Sequence, residues 1–248
     1  MVGELRRMPE TERPNVVIIG AGSNGLVAAN YLADAGLSVV VVEARPVVGG
    51  ACVTEELLPG SRWSSCAFIS GLFNPTILKE LELQRWGLEM YQSDVVGMTL
   101  RADGARIILY REVDRTLREI ERHSKADARG YLDFGVRLRR FAQMVEPWML
   151  KAPPQRSELV RAFEEAGEEE LFDEFVVLSA KDLLDRYFET DILKGYLIFF
   201  GLVAIHGGPS TPGTSAGGNG RGCGSRAGST PRRGAASPCC WPSTMCRS

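Results

Sequence analysis

The chain has 248 residues, of which 44% are apolar, and its 29 basic and 31 acidic side chains leave a formal charge of −2. This length accommodates one or two domains, and the charge excludes the overall basic excess typical of proteins that bind nucleic acid. The longest nearly continuous apolar run, residues 196–205, is half as long as the roughly 20 residues that cross a bilayer, so we expect no transmembrane helix.

Residues 1–14 mix arginine with glutamate and lack the apolar segment that a secretory signal requires. We expect this stretch to form a flexible N terminus. Without a recognisable targeting segment, the cytoplasm is the default expectation for the location of the protein.

The next segment has the order of a nucleotide-binding βαβ unit. Residues 15–19 (NVVII) predict a buried parallel strand, and the G-x-G-x-x-G sequence of residues 20–25 follows directly. Residues 26–35, rich in Ala and Leu, predict a helix, and residues 38–42 (SVVVV) predict a second buried strand that leads into Glu43. This order predicts an α/β fold with a Rossmann-type dinucleotide site.

Each residue of this fingerprint has a mechanical reason. Gly20 permits a tight turn, Gly22 lets the backbone approach a pyrophosphate, and Gly25 lets the helix pack closely on the strand. The pyrophosphate is expected on the N–H groups at the start of the helix, where Ser23 and Asn24 lie.

The acidic residue and a second pair of glycines bear on the choice of cofactor. Glu43 is placed to accept hydrogen bonds from ribose hydroxyls, and its charge disfavours the 2′-phosphate of NADP. The fingerprint alone does not distinguish NAD from FAD. Gly49 and Gly50 follow shortly after Glu43, and they indicate a second close approach of the backbone to a cofactor longer than NAD.

The fingerprint, the E-x(5)-G-G of residues 43–50 and the A-x-x-T of residues 51–54 resemble the large FAD-dependent oxidoreductases of the phytoene desaturase and amine oxidase type. The similarity is greatest to the phytoene-dehydrogenase-related group that includes the pyridine nucleotide-disulfide oxidoreductase domain-containing proteins. It implies FAD as the cofactor, with Arg45 beside the adenosine and residues 49–51 close to the cofactor. The cofactor-binding residues that it implies are Gly20, Gly22, Ser23, Asn24, Gly25, Glu43, Ala44, Arg45, Gly49, Gly50 and Ala51.

The cysteines do not predict a catalytic or metal site. Cys52 and Cys66 are 14 residues apart, unlike the close C-x(4)-C pair of flavin disulfide oxidoreductases, so we interpret them as small core residues. The other four cysteines, at positions 223, 239, 240 and 246, lack a paired C-x-x-C framework and a neighbouring histidine. We therefore expect no metal.

The middle of the chain predicts a hairpin followed by helices. Residues 97–113 predict the hairpin, because alternating apolar runs flank Asp103-Gly104. The helical patterns cover residues 114–123, 125–150, 157–166, 170–179, 180–188 and 192–205. The second of these helices carries an apolar stripe, typical of a core face rather than a ligand wall, formed by Tyr131, Phe134, Leu138, Phe141 and Met144.

The predicted helix 192–205 is apolar nearly all round. Three alternatives remain open for it: burial in the core, the wall of an apolar substrate cavity, and peripheral contact with a membrane surface. The resemblance implies that the middle of the chain is a helical substrate-binding domain suited to a hydrophobic small molecule. We thus expect an FAD-binding Rossmann unit over residues 15–70 and a substrate domain over residues 71–206.

The last 42 residues differ sharply from the rest. Residues 207–248 contain no Leu, Ile, Val, Phe, Asp, Glu or Lys, and their five arginines follow a body of net charge −7. A segment with so few apolar side chains cannot offset the entropy of ordering its backbone, so we expect it to be disordered. Because its start resembles a family motif that then breaks off, we expect a truncation or a shift of reading frame near Thr214.

The sequence predicts a flavin-dependent oxidoreductase that transfers hydride from a hydrophobic substrate to FAD. Two alternatives remain: an inactive, truncated fragment of such an enzyme, and a NAD-dependent Rossmann dehydrogenase. No residue type or spacing isolates a catalytic acid or base, and the oligomeric state is not indicated.

Overall fold

The structure, a computed structural model, describes residues 13–67, 69–70, 73–202 and 207–215. It mixes helices and strands in two compact units, Met1–Glu89 (unit 1) and Met90–Ser248 (unit 2). The boundary between units therefore falls at residue 89 rather than at the predicted residue 70. Most of the predicted flexible N terminus lies outside the described residues.

Unit 1 begins with the predicted strand, helix and strand. Strand β1 (Val16–Ile19) leads into helix α1 (Ser23–Asp34), and strand β2 (Val39–Val42) pairs with β1 in parallel. The register joins Val16 to Val39 and Ile19 to Val42. This arrangement is the βαβ unit that the glycine-rich turn and the two β-branched runs predict.

The prediction that both strands are buried is wrong. Residues along β1 and β2 alternate between half-buried and exposed, and the side chain of Ile19 is 89% exposed. A parallel strand is buried when helices cover both faces of its sheet. In the described part of unit 1, this sheet has two strands, and α1 contacts both of them. The face that carries Val17 and Ile19 is open.

A hairpin and a short helix follow in unit 1, and neither is predicted from the sequence. Strand β3 (Thr54–Leu58) pairs with the antiparallel strand β4 (Ser61–Ser64). Helix α2 (Pro75–Glu80) begins after Asn74, whose side chain accepts a hydrogen bond from the backbone N–H of Thr76 at 2.8 Å. Asn74 is thus an N-cap, with proline in the first helical position.

Both cysteines of unit 1 are exposed, so their prediction as core residues is wrong. Cys52 precedes β3 and Cys66 follows β4, and nearly every residue of this hairpin is exposed or half-buried. An isolated two-stranded hairpin has too little apolar surface to enclose such side chains.

Unit 2 begins with the predicted hairpin. Strand β5 (Val95–Leu100) pairs with the antiparallel strand β6 (Arg106–Tyr110). Gly104 has a φ of +84° in the turn, a conformation that favours glycine. Ile107 and Leu109 of β6 are buried, so one face of the hairpin contributes to the core of unit 2.

The helices of unit 2 follow the predicted patterns with shifted ends. Ser124 caps the helix that begins at Lys125, and Ser179 caps the helix that begins at Ala180. Each serine side chain accepts a hydrogen bond from the backbone N–H three residues ahead. The predicted helix 125–150 ends at Val145, because Pro147 interrupts the helical hydrogen bonding. The α-helices described in unit 2 are α3 (Val113–Glu121), α4 (Lys125–Val145), α5 (Arg156–Glu165), α6 (Glu169–Phe172), α7 (Ala180–Tyr187) and α8 (Asp191–Leu202).

The apolar stripe of α4 forms the centre of the core, as predicted. Its Phe134 and Phe141 are buried, and both rings lie against Phe175, with centroids 6.1 and 4.9 Å away. Phe175 lies in a single π-helical turn, Asp173–Val177, where the sequence predicts a continuous helix over residues 170–179. The wider turn places this ring against α4.

Helix α8 is buried on one side. Leu193 and Leu197 are fully buried, whereas Phe199 is 56% exposed. Within the described residues, no helix has the length and apolar character needed to cross a membrane. Residues 203–206, the predicted end of this helix, lie outside the described residues.

A buried carboxylate joins α4 to the start of α8. Asp127 accepts hydrogen bonds from the backbone N–H groups of Glu189 and Thr190, at 2.7 and 3.1 Å, and from the Thr190 hydroxyl. Ser124 donates to the Glu189 carboxylate at 2.6 Å. Because a buried charge is tolerated when it is hydrogen-bonded, this network fixes how the two helices meet.

Residues 207–215 are the described start of the segment that the sequence predicts to be disordered. They lie against the start of α7, where the backbone N–H of Ala180 donates to the Thr214 hydroxyl at 3.0 Å. The carbonyl of Leu178 accepts from the N–H groups of Gly213 and Ser215, and Thr214 and Ser215 are fully buried. These bonds compensate for the lack of large apolar side chains. Residues 216–248 lie outside the described residues.

Two glycines of α4 provide a matched test of the packing between α4 and α7. A Cβ at Gly130 would lie 2.0 Å from the carbonyl oxygen of Tyr187, whereas a Cβ at Gly135 would meet nothing within 4 Å. We predict that G130A destabilises the protein by about 2 kcal/mol or more through overpacking. G135A is expected to stabilise it by about 0.5–1 kcal/mol, because alanine loses less backbone entropy than glycine in a helix. Urea unfolding followed by circular dichroism checks both values, and equal stability of the two variants would contradict this packing.

Candidate dinucleotide-binding site

The turn between β1 and α1 presents bare backbone and an open helix terminus. Gly20 has a φ of +99°, and its N–H donates to the carbonyl of Val42 at 2.7 Å, which ties the turn to β2. The exposed residues Ser23 and Asn24 begin α1, whose first turn has neither a side-chain cap nor an acidic residue. Such a terminus suits an anion, since its N–H groups and the helix dipole favour negative charge.

Gly25 sets the contact between α1 and the end of β1. A Cβ at this position would lie 2.3 Å from the carbonyl oxygen of Gly20 and 3.3 Å from Cγ2 of Ile18. The third glycine of the fingerprint is therefore required by packing.

Glu43 is bound to the same turn. One of its carboxylate oxygens accepts from the backbone N–H of Ala21 at 2.8 Å, and the other accepts from that of Arg45 at 3.0 Å. The hydrogen bonds from Arg45 and Ala21 lower the pKa of Glu43 below its ordinary value of 4.5. The residue predicted to bind ribose thus also organises the glycine-rich turn.

The second pair of glycines lies against the first turn. Gly22 and Gly49 form a parallel β-bridge, and the N–H of Gly49 donates to the carbonyl of Ala21 at 2.8 Å. A Cβ at Gly50, which has a φ of +57°, would lie 2.8 Å from the Cα of Gly22. Ala51 continues this turn. The structure therefore brings two glycine segments together that are almost 30 residues apart in sequence.

Arg45 extends away from this glycine pair toward β3, where its guanidinium forms an ion pair with Glu55. A hydrogen bond from Ser65 and the charge of Arg45 lower the pKa of Glu55. Ala44 is exposed between Glu43 and Arg45. Beside Arg45 is a groove of about 620 Å³, lined by residues 45–48, residues 52–56 and Arg62.

The structure thus brings the two glycine segments and Glu43 together, with Ala44 and Arg45 directly after Glu43, and it shows contacts that the spacing did not indicate. The E-x(5)-G-G pattern predicts an approach of Gly49 and Gly50 to a cofactor, not their contact with Gly22. The hydrogen bond from Ala21 to Glu43 has no sequence signal of its own. Among the described residues, His, Cys, Asp and Glu do not form a cluster of three or more suited to a metal.

Gly25 and Gly22 allow a test that distinguishes a glycine required by packing from a glycine that lets a ligand approach the backbone. We predict that G25A lowers the protection of β1, α1 and β2 against hydrogen exchange by tenfold or more, because its methyl group would overlap Gly20. The matched variant G22A is expected to keep that protection, since a Cβ there would lie 3.9 Å from Gly50, an ordinary contact. Hydrogen exchange followed by mass spectrometry checks this. Equal loss in both variants would contradict the packing role of Gly25.

The contacts of Glu43 predict a dependence on pH. Because folding lowers the pKa of Glu43 below 4.5, the charged carboxylate stabilises the turn at higher pH, and this contribution is lost as the pH falls through the lowered pKa. We predict that residues 20–45 exchange more slowly in the wild type than in E43Q at pH 7, because glutamine offers a single acceptor oxygen. Comparison at matched pH values should show the difference closing toward pH 3, and a constant difference would contradict this role of Glu43.

Comparison with known proteins agrees with this geometry. Residues 18–75 match the family model of the NAD(P)-binding Rossmann-like domain. The "Pyridine nucleotide-disulfide oxidoreductase domain-containing protein 2" of Rattus norvegicus is 30% identical over 81% of this chain and 39% of its own length. A limonene dehydrogenase polypeptide from Castellaniella defragrans is 34% identical over 58% of this chain and 26% of its own length. The chain thus spans about two fifths of the first relative.

A solved structure of a putrescine oxidase variant, made in a redesign of cofactor binding, is similar with a TM-score of 0.45 and 21% identity, over 75% of this chain and 36% of that chain. The chain carries a NAD(P)-binding Rossmann-like domain over residues 18–75 and is a homologue of the oxidoreductase-type pyridine nucleotide-disulfide oxidoreductase domain-containing protein 2, and phytoene desaturase of Neurospora crassa is similar over a shorter stretch, 28% of this chain.

Proposed function

We propose that the chain holds FAD, as part of an oxidoreductase that acts on a hydrophobic small molecule. The observation that carries this proposal is the contact of Gly22 with Gly49 and Gly50, which doubles the length of bare backbone at the start of α1. A cofactor longer than a mononucleotide can lie along both segments without meeting a side chain. When bound, FAD supplies the hydride acceptor for oxidation of the substrate.

The residues of the fingerprint have distinct roles in this proposal. The pyrophosphate lies at the start of α1, against the backbone of residues 20, 22 and 25 and beside Ser23 and Asn24, where the helix terminus lacks a capping carboxylate. Gly49, Gly50 and Ala51 pass beside it. No side chain has to move out of this path, because a Cβ at Gly20 or Gly22 would meet no atom closer than 3.9 Å.

Glu43 binds the ribose of the adenosine half. Its carboxylate has lone pairs beyond the two that accept from Ala21 and Arg45, so it can also accept from ribose hydroxyls. Its lowered pKa keeps it charged at neutral pH, which disfavours a 2′-phosphate. Arg45, held by Glu55, and the exposed Ala44 flank the adenosine at the mouth of the adjacent groove.

Unit 2 is proposed as the substrate domain. The name limonene dehydrogenase gives a hydrocarbon as the substrate of that relative, and its match extends over 146 residues, more than unit 1 contains. Unit 2 also exposes large apolar side chains, among them Met98, Leu100, Val136 and Phe199. These observations support a hydrophobic substrate.

NAD is the second candidate cofactor, favoured by the family model that matches residues 18–75. The two candidates differ in what they require of the chain. The glycine-rich turn and Glu43 suffice for NAD, whereas Gly49 and Gly50 have a role at the ligand only with the longer cofactor.

Binding by the full chain distinguishes the two cofactors. We predict that the protein retains FAD through gel filtration, with a yellow colour and an absorbance maximum at about 450 nm. A hundredfold excess of NAD or NADP should not displace the FAD. G22A, whose fold is expected to remain, should bind FAD at least tenfold more weakly, because its methyl group lies where the pyrophosphate approaches.

Two outcomes would overturn the proposal. One is tight binding of NAD, sensitive to G22A, without retention of FAD. The other is a folded chain, shown by hydrogen exchange to have a protected β1–α1–β2 unit, that binds neither cofactor.

A further inference from the structure

The hairpin of unit 1 has one cysteine beside each strand at its open end, Cys52 before β3 and Cys66 after β4. Strands β3 and β4 pair in antiparallel register, with Thr54 opposite Ser64. Beyond this pair, where both strands end, the N–H of Ala67 donates to the carbonyl of Ala51 at 3.0 Å. Cys52, the last residue of the 3-10 turn Gly50–Cys52, and Cys66, in the bend after β4, therefore each adjoin a residue of this hydrogen-bonded pair.

The two thiols are open to solvent at this end of the hairpin, whereas Val53, between Cys52 and β3, is buried. Both cysteines are free and exposed to solvent, so an oxidant in solution can reach them.

The hydrogen bond beside the two cysteines favours a disulfide. Cα atoms of a hydrogen-bonded antiparallel pair, such as Ala51 and Ala67, lie about 5.5 Å apart. A spacing of this size falls within the range of about 4.4–6.8 Å found for disulfides. The hairpin thus brings together two cysteines that are 14 residues apart in sequence.

We propose that Cys52 and Cys66 form a reversible disulfide. The oxidant is a low-molecular-weight disulfide. One cysteine thiolate attacks the small disulfide and releases one small thiol. The second cysteine then attacks the mixed disulfide and releases the other small thiol, so that two cysteine thiols are oxidised and one small disulfide is reduced.

This bond would act on the turn that contacts the fingerprint. The N–H of Cys52 donates to the carbonyl of Gly49 at 3.0 Å, and the N–H of Gly49 donates to the carbonyl of Ala21. A disulfide fastens the Gly50–Cys52 turn to the end of β4 and so holds Gly49 and Gly50 against Gly22. The expected consequence, which rests on the proposed function, is about three- to tenfold tighter binding of FAD by a preorganised turn.

The test uses the full chain with Cys223, Cys239, Cys240 and Cys246 replaced by serine, so that two thiols remain. The protein is incubated with oxidised glutathione, alkylated and digested with trypsin. Trypsin cleaves after Arg62, between the two cysteines, whereas Arg13 and Arg45 each precede proline and resist cleavage. We expect loss of both thiols and a linked pair of peptides, residues 8–62 and 63–79, which dithiothreitol separates.

Controls identify the contribution of the fold. The linked pair should form at least tenfold faster in the native protein than in 8 M urea, since the hairpin holds the thiols together. C52S and C66S should instead accept one glutathione each. Thiols that both stay reactive toward alkylation, mixed disulfides alone in the parent chain, bonds only between molecules, or an equal rate in urea would each overturn the proposal.

The effect on the cofactor has its own readout. If the disulfide forms and neither redox form binds FAD, the proposed function fails while the disulfide stands. If FAD binds and the disulfide does not form, the further inference alone fails. If both occur and the oxidised protein binds FAD no more tightly than C52S, the disulfide does not act on the site.

Discussion

The approach of two backbones at Gly22 and Gly50 is the constraint on which the rest of unit 1 depends. A single methyl group on Gly50 would lie 2.8 Å from the Cα of Gly22, and one on Gly25 would lie 2.3 Å from the carbonyl of Gly20. Glycine at these places lets the end of β1, the start of α1 and the turn after β2 occupy one small volume. The hydrogen bonds from Ala21 to Glu43 and from Gly49 to Ala21 then hold the three segments in register. The candidate site is therefore formed mainly by backbone segments that lie close together, and less by the chemistry of side chains.

Unit 2 is organised by the opposite means. Its core consists of large rings and branched side chains around α4, and one of its polar features is a carboxylate, Asp127, that is buried and accepts three hydrogen bonds. Removing a partner from such a group leaves a buried charge, which is costly. The nine residues 207–215 lack large apolar side chains and are nevertheless held by hydrogen bonds to residues around the start of α7. Composition alone therefore does not indicate the hydrogen bonds that residues 207–215 make.

Local patterns predicted the elements whose formation depends on neighbours in sequence. The strand–turn–helix–strand order, the hairpin at Asp103-Gly104 and the stripe that contains Phe134 and Phe141 all have a clear period or turn signal. The contacts that complete the site have none. The bond from Ala21 to Glu43 and the bridge from Gly22 to Gly49 join distant segments, and only folding brings them together. The burial of β1 was predicted wrongly for a related reason, because burial depends on the layers around a strand and not on its own apolar character.

The two units differ in how much stability the packing of their own side chains supplies. In unit 1, apolar side chains such as Val17 and Ile19 remain exposed, whereas unit 2 buries a cluster of aromatic rings that includes Phe134, Phe141 and Phe175. Segments with few enclosed apolar contacts open at low free energy, and they gain most from anything that binds only their folded form. A dinucleotide that joins the two glycine segments would add stability of this kind, and a bond between Cys52 and Cys66 would remove freedom from the unfolded hairpin. Binding and oxidation would therefore be expected to change the order of unit 1 far more than that of unit 2.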